Sequence, residues 1–300
     1  MAYFGLNKTA YIQLHISVFL WGFTAILGEL ITLSSIELVW WRMMFAFVSL
    51  LFLRRARKGL RGMSRTEVVK IGLNGGLLAL HWVAFYAAIK MANPTIALVG
   101  LSTTSFFTAI FEPILSRKAI VWPDVFIGFV AIPGMILIYK NVDFQMVTGL
   151  WVGIGAAVVL AIFSIISKKQ IENSNALGMS FVQLSGGWLF ICLALFLLPS
   201  MQFDLVFPTG QNLWLLLIMA IFCTTIPFIL SLKALRKLSA FTSNLTLNLE
   251  PVYGIFMAWI FLNDAKELST GFVLGVLIVL VSVLSYPLLY PVTHKGTSKK

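Results

Sequence analysis

Three ionisable side chains stand inside long apolar stretches, where a charge is expensive to keep. Glu250 lies about ten residues into a run that begins near residue 240, with Pro251 directly after it. A bare carboxylate at bilayer depth must be protonated, paired or hydrated. A proline removes one backbone hydrogen bond and frees a carbonyl nearby, which favours a bend and a polar lining. The pair suits a carboxylate that carries a proton or holds an amine, or one half of a structural pair that fixes helix packing. Arg42 lies near the middle of another run, as Glu250's partner or as a clamp for an anionic group. His81 sits at similar depth, where it is either a titrating group or a neutral ring with one hydrogen bond. Glu112 lies nearer the end of its run, beside Arg117 and Lys118, and is expected in an interfacial ion pair.

Uncharged polar residues fall into stripes at helical spacing, roughly 100° per residue. Thr242, Ser243, Thr246, Glu250 and Tyr253 share one arc, and Asn244 and Asn248 form a second stripe at i and i+4. Thr104, Ser105, Thr108 and Glu112 share an arc in an earlier run. Gln13, Ser17, Trp21, Thr24 and Gly28 line up in the first, and Ser180, Gln183 and Gly187 in the seventh. Asn74 and His81 are seven apart, with Trp82 and Tyr86 on an adjacent strip. Such stripes either line a wet cavity or bond backbone carbonyls and pack helices together. Trp21 and Trp82 lie mid-span, which suits a cavity as well as an aromatic belt. The candidate substrate- or coupling-site residues are therefore Glu250, Arg42, His81, Trp21, Trp82, Thr104, Thr108, Gln183, Asn244, Thr246, Asn248 and Tyr253.

The elements that hold these residues follow from composition. Hydrophobic residues make up 59% of the 300-residue chain and charged residues 11%, and the mean hydropathy is +0.94. Soluble domains run near 25% charged, so most of this chain is expected in lipid. Continuous apolar runs exclude a β-barrel, whose strands alternate. Ten runs lie at roughly 10–30, 34–53, 68–89, 95–115, 120–140, 147–168, 177–198, 211–231, 240–262 and 270–290, each near the ~20 residues a helical span needs. The first is expected as a retained span and not a signal peptide. With the N-terminus inside, 18 of the 22 Lys and Arg fall on the cytoplasmic side. Lys90, Lys140 and Lys266 fall outside, and Arg42 lies within a span. This places both termini in the cytoplasm by the positive-inside rule and explains the net charge of +11 without nucleic acid. The basic run from Arg54 to Arg65 is read as a topology signal.

Connections are short, leaving no room for a soluble domain between spans. The sequence has no G-x-x-x-x-G-K-[ST] loop, no H-E-x-x-H and no G-x-S-x-G. Cys192 and Cys223 both lie in apolar runs, so neither a disulfide nor a metal site is expected. No cofactor is implied, and an enzyme is not expected. Gly72-x-x-x-Gly76, Gly149-x-x-x-Gly153 and Gly271-x-x-x-Gly275 predict packing faces, within one chain or between the copies of a homodimer.

Five runs followed by five make an inverted repeat, because an odd number flips the second half. Phe85, Lys90 and a Ser/Thr-rich run in half one match Phe228, Lys233 and a second such run in half two. The stretch from Ala234 to Ile260, with its Glu250-Pro251 pair, resembles the ninth span of the drug/metabolite transporter superfamily, EamA type. Leu20-Trp21-Gly22, Arg42 and Ala88-Ile89-Lys90 are also similar to the family pattern. Half one departs from it: the position aligned with Glu250 is near Ser105, while Glu112-Pro113 comes later.

The resemblance implies two repeats, at about 11–140 and 149–288, with a cavity between spans 1–4 and 6–9 and spans 5 and 10 peripheral. It implies an all-α polytopic membrane protein of ten transmembrane helices in two five-helix inverted repeats, in a bacterial inner membrane. It further implies alternating-access transport, export or import, of a small metabolite such as an amino acid or a related polar or amphipathic compound. The other classes weighed are a membrane-embedded enzyme acting on lipid and a non-transporting scaffold. The first lacks an acid, base and metal constellation, and the second gains nothing from polar stripes on six helices.

The charge split gives a direct test. With Cys192 and Cys223 replaced by serine, a cysteine at Lys58 should resist a membrane-impermeant thiol reagent in intact cells. One at Asp204 should react. Labelling of the Lys58 position from outside would invert the topology.

Overall fold

The computed structural model describes residues 2–138, 146–198, 203–250, 252–253 and 270–289. Lys140, Pro251, Lys266 and the tail with Lys295, Lys299 and Lys300 lie outside the described residues. The described secondary structure is helical. Helices α1 (Ala2–Leu30), α2 (Ser35–Leu51) and α4 (Arg65–Met91) occupy the first three apolar runs, with a short basic helix α3 (Arg54–Arg61) between the last two. Next come α5 (Pro94–Ser102), α6 (Thr104–Ser116), α7 (Trp122–Ile138), α8 (Val147–Ile171) and α9 (Ala176–Leu197). Helices α10 (Gly210–Ala220) and α11 (Ile226–Leu235) flank a π turn at Ile221–Thr225. Helices α12 (Ala240–Leu247) and α13 (Thr270–Leu289) follow.

Among the described residues, six helical stretches are long and apolar enough to cross a bilayer: Lys8–Leu30, Arg65–Met91, Ile96–Ser116, Val147–Ile171, Ala176–Leu197 and Gly210–Leu235. The pair α2–α3, bent by 91°, makes a seventh if counted as one span. Helix starts are written into the sequence. Ser34 with Glu37 and Ser64 with Glu67 form reciprocal capping boxes for α2 and α4. Asn93 caps α5 with Pro94 behind it, and Asn175 caps α9.

Packing links the halves in a pattern that survives exchange of one half for the other. Helix α1 packs on α11 as α4 packs on α8, and α4 on α9 as α2 on α10. Helix α2 meets α9, α6 meets α12 and α7 meets α13, each pairing an element with its counterpart. Backbones approach closely at glycine. A Cβ on Gly75 would run into the Gln183 carbonyl oxygen, and one on Gly186 would lie 2.6 Å from Gly72 Cα. Gly149 lies against Ala88 and Ala92, and Gly153 against Ala97 and Gly100. Two of the three expected glycine faces thus close contacts inside one chain.

The polar stripes of α6 and α12 bond to each other. Asn248 Nδ2 donates to Ser105 Oγ at 3.2 Å, and Asn244 Nδ2 to Thr108 Oγ1 at 2.8 Å. The Phe241 amide donates to Glu112 Oε2 at 3.0 Å. Numbers rise along α6 as they fall along α12, so the two run antiparallel. Glu112 therefore takes a backbone amide at the positive end of α12, where a carboxylate is favoured, and not the Arg117–Lys118 pairing that its neighbours suggested. Both spans also break. The helix is interrupted at Thr103 in one and at Asn248–Leu249 in the other.

The glycine contacts predict an asymmetry. Gly75→Val should cost about 1–3 kcal/mol or more through forced backbone separation. Gly155→Ala, with nothing within 4 Å of the added atom, should leave the melting temperature in detergent unchanged within about 2 °C. Equal effects of the two would contradict the packing.

Candidate functional site

A cavity of about 100 Å³ lies among α1, α2, α4, α8, α11 and α12. At roughly 10–15 Å³ per water in this measure it holds several waters or a compact solute. Arg42, Trp82 and His81 form one part of its wall, and Trp21, Asn244 and Glu250 another. It extends past Leu14 and Ser167 to Leu235, the end of the bundle that bears Lys168, Arg236 and Lys237.

Arg42 is 2% exposed, so each guanidinium N–H needs an acceptor. Nε donates to Thr224 Oγ1 at 2.6 Å, Nη1 to the Tyr86 hydroxyl at 2.7 Å and Nη2 to the Cys223 carbonyl at 3.2 Å. The guanidinium carbon also stands 3.9 Å from the centre of the Trp82 ring, a cation–π contact. The local sequence explains these acceptors. Pro227 has no N–H, so the Cys223 carbonyl four residues earlier loses its helical partner. The Ile226 amide reaches back five residues to Ile221, and the Thr224 and Thr225 hydroxyls reach back five to Met219 and Ala220. The resulting π turn presents the Cys223 carbonyl and the Thr224 hydroxyl to Arg42, as such turns often do at functional sites. Three of the five guanidinium donors are thereby used, leaving two for the cavity.

Glu250 is 5% exposed and, among the described residues, accepts a hydrogen bond from Thr24 Oγ1 at 3.4 Å. Among the described residues the ion pair within 4.0 Å is Lys168–Glu172 at 3.7 Å. Arg42 and Glu250 share the cavity without bonding to each other. Of the two roles open to Arg42 in the sequence, direct ion pairing with Glu250 is absent here.

The other candidates divide by surroundings. His81 Nδ1 lies 3.0 Å from the Ala156 carbonyl, and its ring stacks on Phe85. Asn244 also accepts from Ser164 Oγ at 3.1 Å. Thr108 and Thr246 donate to carbonyls of their own helices, at Thr104 and Thr242, and Thr104 donates across the break to Leu101 of α5. Asn248 is bonded to Ser105, Gln183 Nε2 donates to Ser167 Oγ at 3.0 Å, and the Tyr253 hydroxyl lies 3.0 Å from His15 Nδ1. These six lie off the cavity wall. Ser164, Ser167 and Ser231 are on it. The signal for the first two was their i, i+3 spacing in an otherwise apolar run.

The opposite end of the bundle is filled by rings. Trp40 and Trp41 lie 4.7 Å apart, Trp40 and Trp188 5.3 Å, and Trp41 and Phe207 5.3 Å. Glu37 Oε1 accepts the Asp204 amide at 3.1 Å, tying the connection after α9 to α2.

The model of the EamA-like transporter family matches residues 8–140 and 147–286, one repeat on each side of a short connection. The chain belongs to the EamA-like transporter family. As an EamA-like protein it falls in the drug/metabolite transporter superfamily, and its apolar helices fit a multi-pass membrane protein. It is 23% identical over 216 residues to an uncharacterized transporter of Clostridium kluyveri (strain ATCC 8527 / DSM 555 / NBRC 12016 / NCIMB 10680 / K1), a match covering 66% of this chain and 65% of that one. A solved structure titled "Crystal structure of protein" shares the fold, with a TM-score of 0.73 and 15% identity, over 94% of this chain and 98% of that one.

The Arg42 geometry predicts a ranking of couplings in double-mutant cycles on melting stability. The Arg42→Gln and Thr224→Val pair should show about 1 kcal/mol or more of coupling, as expected for bonded partners. The coupling of Arg42→Gln with Glu250→Gln should be smaller. The reverse order would identify Glu250 as the residue that holds Arg42.

Proposed function

We propose that this EamA-like protein is a secondary transporter of a small zwitterionic metabolite, an amino acid or a close relative. It would work by alternating access between two inverted five-helix repeats of a ten-span bundle, at about 11–140 and 149–288. The observation that carries the reading is the cavity wall itself. Arg42 and Glu250 bear opposite charges, face one space and are not bonded to each other. A solute with a carboxylate and an amine would meet the two spare guanidinium donors at one end and the Glu250 carboxylate at the other. The Trp21 and Trp82 rings offer apolar surface between them.

The antiparallel α6–α12 ladder supports inverted halves. The location of the cavity supports an inward-facing state, since its far end lies beside the basic connections that we place in the cytoplasm, in a bacterial inner membrane. The ring-packed end is then the outer gate.

Glu250→Gln tests this in proteoliposomes. If Glu250 carries a proton through the cycle, net uptake should fall more than tenfold while counterflow exchange survives, because exchange need not release the proton. If it holds the amine, binding and both fluxes should fall together. Wild-type uptake, exchange and melting temperature in Glu250→Gln would end the proposal.

A further inference from the structure

A second pocket, of about 400 Å³, lies at the cytoplasmic end of the bundle as we orient it, away from the cavity of Arg42 and Glu250. Its wall is formed by α3, the start of α4 and the turn between α8 and α9. Arg55 and Lys58 project from α3, a helix that carries Arg54, Arg55, Arg57, Lys58 and Arg61 within eight residues and no acid. Among the described residues, no carboxylate lies within 4.0 Å of Arg55 or Lys58. Glu67 is on the wall, but its Oε2 is held by the Ser64 amide at 2.8 Å and the Ser64 hydroxyl at 2.9 Å. The acid is committed to a helix cap, and the pocket keeps an excess of positive charge.

The pocket is also built on a fixed platform. A Cβ on Gly178 would lie 2.8 Å from the Gly59 carbonyl carbon, so α3 sits backbone to backbone on the first turn of α9. Ala56 is buried beneath it. Helix α9 begins here, with the Leu177 and Gly178 amides turned to Asn175 Oδ1 at 3.0 and 3.4 Å, and its positive end adds to the field.

The neighbouring apolar residues say where the anion comes from. The chain turns by 91° between α2 and α3, and at the turn Phe52 is 79% exposed, with Leu51 and Leu53 also exposed. Apolar residues at the bend and a basic helix directly after it match an interfacial helix, whose rings enter the acyl region while its cations lie among head groups. A free anion would need the charges but not the exposed Phe52.

We infer that the pocket between α3 and the α8–α9 turn binds the phosphate of an anionic phospholipid of the cytoplasmic leaflet, with Arg55 and Lys58 as its ligands. The inference rests on the membrane orientation proposed above, but its test does not depend on transport. Basic pockets at this level hold lipid head groups through such charges, and each cation contributes enough that losing two should weaken binding about thirtyfold.

The experiment titrates purified protein in neutral detergent with phosphatidylglycerol, phosphatidylcholine and inorganic phosphate, read by native mass spectrometry and by intrinsic tryptophan fluorescence. Phosphatidylglycerol should bind saturably, and phosphatidylcholine and millimolar phosphate should not displace it. Arg55→Gln with Lys58→Gln should reduce phosphatidylglycerol affinity about thirtyfold. Lys233→Gln with Lys237→Gln, an equal charge loss at exposed sites on the same side, should change it less than about twofold. The conservative Lys58→Arg should retain binding, which separates a lost ligand from a misfolded helix. Equal losses in the two double variants, or phosphatidylcholine binding as tightly as phosphatidylglycerol, would overturn the site. Phosphate competing as well as the lipid would overturn the lipid assignment.

Discussion

A guanidinium buried in a bundle of apolar helices must find acceptors that regular helices do not offer, because their carbonyls are already bonded. Arg42 solves this with a defect. Pro227 leaves the Cys223 carbonyl without its amide, the chain takes a π turn, and Thr224 is brought round beside that carbonyl. Tyr86 from α4 completes the set. One proline thus joins α2, α4 and the span containing α11 around a single charge. Leaving any of these donors unpaired would cost about 1–3 kcal/mol, more for a charged group, so the arrangement fixes the guanidinium in place. The two remaining donors are what the cavity can use. Among the described residues Glu250 accepts from Thr24 at 3.4 Å, a longer bond than those to the Arg42 guanidinium. The site therefore combines a rigid cation with an anion free to change partner or protonation.

The α6–α12 ladder has the opposite character. It is built from carboxamides, hydroxyls and one carboxylate that bonds a backbone amide, with no ion pair. Such bonds are worth little each when a competing partner is at hand. Both spans also break where the ladder crosses. Two interrupted helices joined by weak polar bonds can slide or re-pair at modest cost, unlike the glycine-locked α4–α9 contact, where backbones touch. The bundle thus has a stiff face and a soft one, and the cavity lies between them.

Much of this was legible in the sequence because lipid leaves so few choices. Apolar run length located most of the described helices. Glu250, Arg42, His81, Trp21, Trp82 and Asn244 stood out as polar or amphipathic groups in apolar surroundings, and all six reach the cavity wall. Stripes alone could not say which partner a polar face meets. The face of Thr104, Thr108 and Glu112 looks like a cavity lining at helical spacing, and so does the face of Asn244 and Asn248. They meet each other, which depends on the antiparallel register of two spans more than a hundred residues apart. The acceptors of Arg42 were hidden for a similar reason. Thr224 and Cys223 sit in an apolar run, and nothing local announces a π turn except Pro227. Glu112 misled through its neighbours: Arg117 and Lys118 are close in sequence, but the amide of Phe241 is close in space.

The central claim is that two opposite charges, facing one cavity without bonding to each other, recognise the two ends of one solute. Calorimetric titration of the purified protein with a series built on one side chain tests it most directly: an amino acid, its decarboxylated amine, its N-acetylated form and the acid lacking the amine. The account predicts that the amino acid binds and that each single-ended analogue binds at least tenfold more weakly. It further predicts that Arg42→Gln removes the preference for a carboxylate but keeps the preference for an amine. Equal binding of all four compounds would contradict it.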